Sequence, residues 1–140
     1  MRIQAFFHEP TFSVSYVLID EATKVAAIVD PVLDYDQASG RTATKFADTI
    51  AAFIRENDLR IEWVLDTHIH ADHLSAMAHL HRELGGTTGI GRHVTVVQSM
   101  FRKFYNLPAD FPVDGRQFGR LFDDGETFRV GSIEVAVMHT

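Results

Sequence analysis

The chain contains no cysteine. That excludes disulfides, thiolate metal ligands and a cysteine nucleophile within these residues. It also fits a reducing compartment, so a cytoplasmic protein is expected. No stretch approaches the ~20 consecutive apolar residues of a membrane-spanning helix. The first segment, Met1 to Pro10, turns polar at His8-Glu9, too soon for a signal peptide, and none is expected. Basic runs are missing as well. The 13 Lys and Arg are outnumbered by 19 Asp and Glu, for a net charge of −6, which argues against a nucleic-acid surface. There is no internal repeat, no linker and no low-complexity tract. What is left is 140 residues at 46% hydrophobic and 23% charged, ordinary values for one globular domain, residues 1–140, able to bury a core.

The patterning is mixed α/β. Ile3 to Phe7, Ser13 to Ile19 and Lys24 to Val29 read as strands. The last two form a hairpin about Asp20-Glu21-Ala22-Thr23. Val25 to Val29 is continuously apolar, as in a strand buried on both faces, and Asp30-Pro31 ends it. Residues 32–43 read as a polar loop, with Asp34 and Asp36 solvated. A helix follows, with Thr44 as its cap and Phe46, Ile50, Phe53 and Ile54 on one face. Ile61 to Asp66 is a strand. Leu74 to Leu80 starts a second helix that Gly85-Gly86 stops. Thr88 to Gly91 is a short strand, and Val94 to Tyr105 a third helix with Val97, Phe101 and Phe104 on its core face. Phe118–Phe122, Thr127–Val130 and Ile133–His139 are strands.

The densest chemistry lies between the Asp66 strand and the second helix, in His68-Ile69-His70-Ala71-Asp72-His73. Three imidazoles and a carboxylate within six residues form a donor set for a divalent or iron-type metal. A strand-to-helix connection is also where α/β sites are usually built. Residues two apart in extended backbone point the same way, ~6–7 Å apart, so His68 and His70 can converge on one metal if the loop curls slightly. Asp72 and His73 are adjacent and face elsewhere, so they suit a second metal ~3.5–4 Å away. The competing reading makes Asp72 a helix N-cap among unrelated surface histidines. His8, His79, His81 and His93 lack a ligand pattern and are read as ordinary.

Thr67-His68-Ile69-His70-Ala71-Asp72-His73 resembles the metal loop of the metallo-β-lactamase superfamily. Asp30-Pro31 after a buried strand and the early hairpin resemble it too. The similarity runs from Tyr16–Asp20 through Asp66-Thr67-His68 to Gly85-Gly86 and Ile90-Gly91. It is greatest to persulfide dioxygenases and β-lactamase-hydrolase-like proteins, with glyoxalase II thioesterases close by. The resemblance implies an αβ/βα sandwich, a mixed sheet with flanking helices, of which this chain would supply the N-terminal half. The family pattern continues into an H-T-P-G-H-T-like segment whose second histidine is a ligand. His139 would match the first, non-ligating one.

For a persulfide dioxygenase the resemblance implies a single Fe(II), held by His68 and two later ligands. For a glyoxalase II-type hydrolase it implies two metals, zinc being the alternative to iron, held by His68, His70, Asp72 and His73. Asp72 would then also be catalytic, orienting the attacking hydroxide. Three expectations follow: an iron-dependent dioxygenase of a glutathione persulfide, a two-metal hydrolase of a thioester, or an inactive half-domain. The partners expected are a small thiol, persulfide or thioester substrate, no nucleic acid and no membrane. A second copy of the chain or a missing C-terminal half would cover the sandwich face.

Overall fold

The computed structural model describes residues 1–140. Strand β1 (Arg2–His8) turns through a 3-10 segment (Glu9–Thr11) into β2 (Ser13–Asp20), and β3 (Val25–Val29) completes an antiparallel meander. Then come β4 (Val32–Asp36), β5 (Arg41–Ala43), helix α1 (Lys45–Glu56), β6 (Arg60–Leu65), β7 (Leu74–Ser75), α2 (Met77–Leu84) and β8 (Thr87–Gly91). Helix α3 (Val94–Phe104) and strands β9 (Arg120–Phe122), β10 (Thr127–Val130) and β11 (Ile133–Ala136) end the chain. The main sheet runs β1-β2-β3-β6-β8-β9. Its first three strands are antiparallel, and the pairs β3–β6, β6–β8 and β8–β9 are parallel.

Strand periodicity puts alternate residues on opposite faces. Val17, Ile19, Ala26 and Ile28 face α1 and α2, where they pack with Ala47, Ile50, Ile54, Met77 and Leu80 in the principal core. On the other face Val25 and Ala27 pack with Val130 of the β10–β11 hairpin, flanked by Trp63 and Phe128. The β3–β6 register skips at Ala26/Ala27, which pair with Ile61 and Trp63. That bulge lets Ile61 and Val64 join the helix side while Trp63 faces the hairpin. The hairpin is latched polarly as well. Asp20 accepts from Ser132 N–H and Oγ at 2.7 Å each, Glu62 accepts from Gly131 N–H at 2.8 Å, and the Trp63 indole donates to Arg129 O at 2.7 Å. The Thr23 hydroxyl and the two Ser132 bonds hold the Asp20 carboxyl far below the usual range. Beside the hairpin the same face keeps an apolar trough of about 1000 Å³, lined by Leu18, Val29, Leu65, Phe122 and Val135 among others.

Four local expectations are corrected. Residues 32–43 are a β4–β5 hairpin, not a loop. Its tip is closed by Asp36, which accepts from Ser39 N–H (3.0 Å) and Gly40 N–H (2.8 Å), with Gly40 at φ 67°. Thr44 does not cap α1. Asp34 Oδ2 takes the Phe46 N–H at 2.9 Å instead, while its Oδ1 meets His8 Nε2 at 3.3 Å. Asp34 is therefore structural and His8 is buried, only 4% exposed. Helix α2 begins at Met77, because Leu74–Ser75 is drawn into pairing with Leu33 and Val32 of β4. The outer face of α3 is uncovered. Its one fully buried residue is Val94, so Phe101 and Phe104, read as core, are exposed, Phe104 by 77%.

Candidate metal centre

The parallel strands β3, β6 and β8 end side by side, and the backbone pairing continues just past them through Asp30 N–H to Leu65 O (2.8 Å) and Asp66 N–H to Gly89 O (3.0 Å). The loop 66–73 leaves the sheet at this edge, where the carboxyl ends of parallel strands open a crevice. It carries His68, His70, Asp72 and His73 between β6 and the short β7.

Asp30 organises the loop. It sits at φ 51°, a left-handed conformation that Asp and Asn tolerate better than most residues. Its Oδ1 accepts from Thr67 N–H (2.6 Å) and His70 Nε2 (3.0 Å), and its Oδ2 accepts from the Thr67 hydroxyl (2.8 Å). Burial opposes ionisation of Asp30, but the His70 and Thr67 bonds outweigh it and hold the carboxyl below the usual range. The same bond lifts the His70 imidazole above its ordinary value, against partial burial. Asp66 has no such support. Burial pushes it up to about 6, opposed by the Ser75 hydroxyl that donates to its Oδ1 at 3.0 Å.

These hydrogen bonds fix which ring nitrogens are free. His70 Nε2 faces a carboxylate, so it carries the proton and Nδ1 is the lone-pair nitrogen. His73 Nδ1 lies 3.0 Å from Leu74 O, an acceptor only, so its Nε2 is free. The Thr67 hydroxyl spends its single proton on Asp30. His68 Nδ1, 2.8 Å from that oxygen, must therefore donate, which frees Nε2. Each loop histidine thus has one nitrogen anchored in the protein and one bare, the arrangement in which a support fixes the tautomer of a metal-binding imidazole.

The bare donors lie close together. The His70 ring stacks on His73 at 4.1 Å between centroids and lies 4.3 Å from His68. His70, Asp72 and His73 offer ligand atoms all within 4.8 Å of one another. His70 Nδ1 stands 3.8 Å from Asp72 Oδ1, a little beyond the ~3.3 Å between two donors on one tetrahedral metal. The close triple is His70, Asp72 and His73, with the His68 ring beside His70. The loop curls at Ala71, so His70 turns toward Asp72 and His73, while His68 borders the trough with His93 and His139. Asp30, Asp66 and His70 form a second close group, but the Asp30 oxygens are already spent on Thr67 and His70, so that group supports the loop. Asp72 does not cap a helix. His79 and His81 are tied to Asp48 (2.8 Å) and Gly86 O (2.8 Å), away from the loop. Asp30, Asp66 and Ser13 escaped sequence reasoning as site residues. Only the aspartate before Pro31, closing a buried strand, carried a local signal.

The neutral nitrogen and carboxylate donors, each with a free lone pair, fit a borderline or hard divalent metal. The sequence profile of the metallo-beta-lactamase superfamily matches residues 9–140. The chain belongs to that superfamily. It is 50% identical over 137 residues to a beta-lactamase hydrolase-like protein of Xylella fastidiosa, covering 98% of this chain and 32% of the relative. It is 46% identical over 141 residues to glyoxylase B2 of Dictyostelium discoideum (99% and 48%), and 26% identical over 122 residues to the mitochondrial persulfide dioxygenase ETHE1 of Bos taurus (85% and 40%). The chain thus spans between a third and a half of these relatives' lengths. Among solved structures, ETHE1 from Myxococcus xanthus superposes with TM-score 0.67 at 24% identity, over 96% of this chain and 46% of that one. A metallo-beta-lactamase from Staphylococcus aureus gives 0.71 at 20% identity, over 100% and 34%. These structures establish the fold as that of metallo-beta-lactamase proteins, a mixed sheet with flanking helices. The names of these relatives include a hydrolase-like protein and a dioxygenase.

Proposed function

We propose that the protein to which this chain belongs is an iron-dependent dioxygenase of a small thiol persulfide, glutathione persulfide in the first instance. The observation that carries the metal-dependent reading is the loop itself, in which three histidines each have one nitrogen anchored and one bare beside Asp72. The choice of sulfur oxidation rests on the resemblance of the loop and its flanks to persulfide dioxygenases, supported by the similarity to bovine persulfide dioxygenase. A bound Fe(II) would supply open coordination positions for redox chemistry that the side chains lack. The chain's own contribution is to orient donors. His68 presents Nε2, Asp30 and Thr67 keep the imidazoles of His70 and His68 in their tautomers, and the His70 side chain is only 7% exposed.

A second reading is a two-metal thioester hydrolase. It is favoured by the close group His70, Asp72 and His73 and by 46% identity to glyoxylase B2. There two zinc ions would be held among His68, His70, Asp72 and His73, and Asp72 would orient the attacking water. Elemental analysis with two assays on the purified protein separates them. Iron content with oxygen uptake on glutathione persulfide is the expected result. Zinc content with oxygen-independent cleavage of a glutathione thioester would replace the first reading by the second, and absence of any stoichiometric metal would sink both.

A further inference from the structure

Strand β2 places Ser13, Ser15, Val17 and Ile19 on one face. Val17 and Ile19 belong to the principal core, and Ser15 and Ser13 continue the same buried row, 0% and 9% exposed. A hydroxyl in such a row is unfavourable unless it finds a partner, and both serines find theirs at the metal loop's base. Ser15 Oγ donates to Asp30 O at 2.7 Å and accepts from Val32 N–H at 3.3 Å, so it holds the backbone on either side of Pro31. Ser13 Oγ lies 2.9 Å from Asp72 Oδ2 and 3.3 Å from Thr11 O. A hydroxyl has one proton, and the shorter contact to an ionised acceptor is the stronger bond.

We infer that Ser13 is a positioning residue for Asp72: its hydroxyl occupies Oδ2 and leaves Oδ1 as the single oxygen presented to a cation beside His70 and His73. The inference rests on the metal-binding reading of the loop. Asp72 needs such a tether. Its side chain is 57% exposed, it lies on a loop, and Ser13 is the one residue outside that loop whose side chain hydrogen-bonds it. Ser13 itself is rigid, paired in the β1–β2 ladder with His8, whose ring is pinned by Thr11 at 2.7 Å and Asp34 at 3.3 Å. The tether thus joins the exposed carboxylate to a strand end fixed on both sides. With Oδ2 engaged, the carboxylate binds through one oxygen. With Oδ2 released, it can rotate away or bind through both.

The test compares Ser13→Thr with Ser13→Val. The two side chains have nearly the same shape and differ by the hydroxyl, so any disturbance from the added methyl is common to both. Co(II) affinity is measured by competition with a chromophoric chelator, the visible spectrum of the Co(II) protein is recorded, and a thermal melt monitors folding. Ser13→Thr should keep the wild-type affinity and spectrum. Ser13→Val should bind about tenfold more weakly, within the range seen for supports of metal ligands, with an altered band intensity. In an Asp72→Ala background the two variants should be equal. Equal affinity and spectra for Ser13→Thr and Ser13→Val with Asp72 present would overturn the inference. So would an undiminished difference with Asp72 absent, since Ser13 would then act through the fold. Failure of the wild-type chain to bind Co(II) at all would overturn the metal reading first, and the role of Ser13 with it.

Discussion

Replacing Asp30 by Asn tests how a residue that never touches the metal decides whether a histidine can bind it. The backbone is not the issue, because Asn tolerates the φ of 51° as well as Asp does. The amide oxygen can stand in for Oδ1 and accept from Thr67 N–H and His70 Nε2. The amide nitrogen then faces the Thr67 hydroxyl where Oδ2 accepted. Two donors cannot share that contact, so the hydroxyl turns and donates to His68 Nδ1, 2.8 Å away. The His68 proton moves to Nε2, the nitrogen that was bare. One ligand is lost without changing any ligand residue. Metal affinity should fall ten- to a hundredfold, equivalent to about 1.4–2.8 kcal/mol, while stability falls by about 1–2 kcal/mol for the weakened acceptor. Asp30→Ala should be worse in both respects. It leaves three donors without their acceptor and costs on the order of 3–5 kcal/mol, as when a buried pair is broken from one side. The lower end is favoured because the carboxylate remains 17% exposed. Chelator competition gives the affinity, urea melts the stability, and imidazole ¹⁵N shifts the tautomer. An Asp30→Asn protein that binds metal as tightly as wild type, with His68 still protonated on Nδ1, would refute the reasoning.

Ile28 is fully buried between the strands and α1, so Ile28→Ala should cost about 2–5 kcal/mol; a loss under 1 kcal/mol in a urea melt would show that the core repacks. The lowered pKa of Asp20 means that its carboxylate stabilises the fold above its unfolded-state pKa, and that this stability is lost as pH falls toward the folded-state value. Asp20→Asn should accordingly be less stable than wild type at neutral pH, the gap closing below about pH 4; a pH-independent gap would mean the latch is not ionic. Gly86 stands at φ 82°, where an added Cβ would meet Ile61 Cγ2 at 2.8 Å, so Gly86→Ala should lower the melting temperature by several degrees, and an unchanged melt would contradict that geometry. The apolar trough and the bare face of α3 predict that this 15.8 kDa chain binds a hydrophobic dye and elutes as more than a monomer; a dye-free monomer in light scattering would count against exposed apolar surface.

The elements that sequence reasoning recovered are those whose residues answer to the nearest layer. Val25 to Val29 is apolar throughout because both faces of β3 are covered. Phe46, Ile50, Phe53 and Ile54 repeat at helical spacing because α1 meets the sheet along one side. The β4–β5 hairpin was hidden because Asp34, Asp36 and Arg41 are polar and only Val32 is fully buried. Strand β7 is two residues long and exists through its pairing with Val32 and Leu33, a partner more than forty residues away that no local window contains. Phe101 and Phe104 misled for the opposite reason. Their spacing is that of a packed helix, but nothing in these residues covers that side of α3.

The site divides in the same way. Its donors were legible because four of them fall within six residues, a density that composition does not explain. Their supports were not, because Ser13 reaches Asp72 across 59 positions and Asp30 reaches His70 across 40, and hydrogen bonds at such distances leave no periodic trace. Strand register makes donors and supports one problem. The row on β2 that sends Val17 and Ile19 into the core also sends Ser15 under Pro31 and Ser13 under Asp72. The pairing of β3 with β6 that buries Ile28 against Val64 delivers Asp30 to Thr67. A slip of one residue in β2 would turn all four of its inward side chains to the other face, exposing two apolar residues and withdrawing two hydroxyls from the loop. Selection for a packed core at Val17 and Ile19 therefore also holds the tether of Asp72 in place, although nothing in the local sequence at Ser13 announces it.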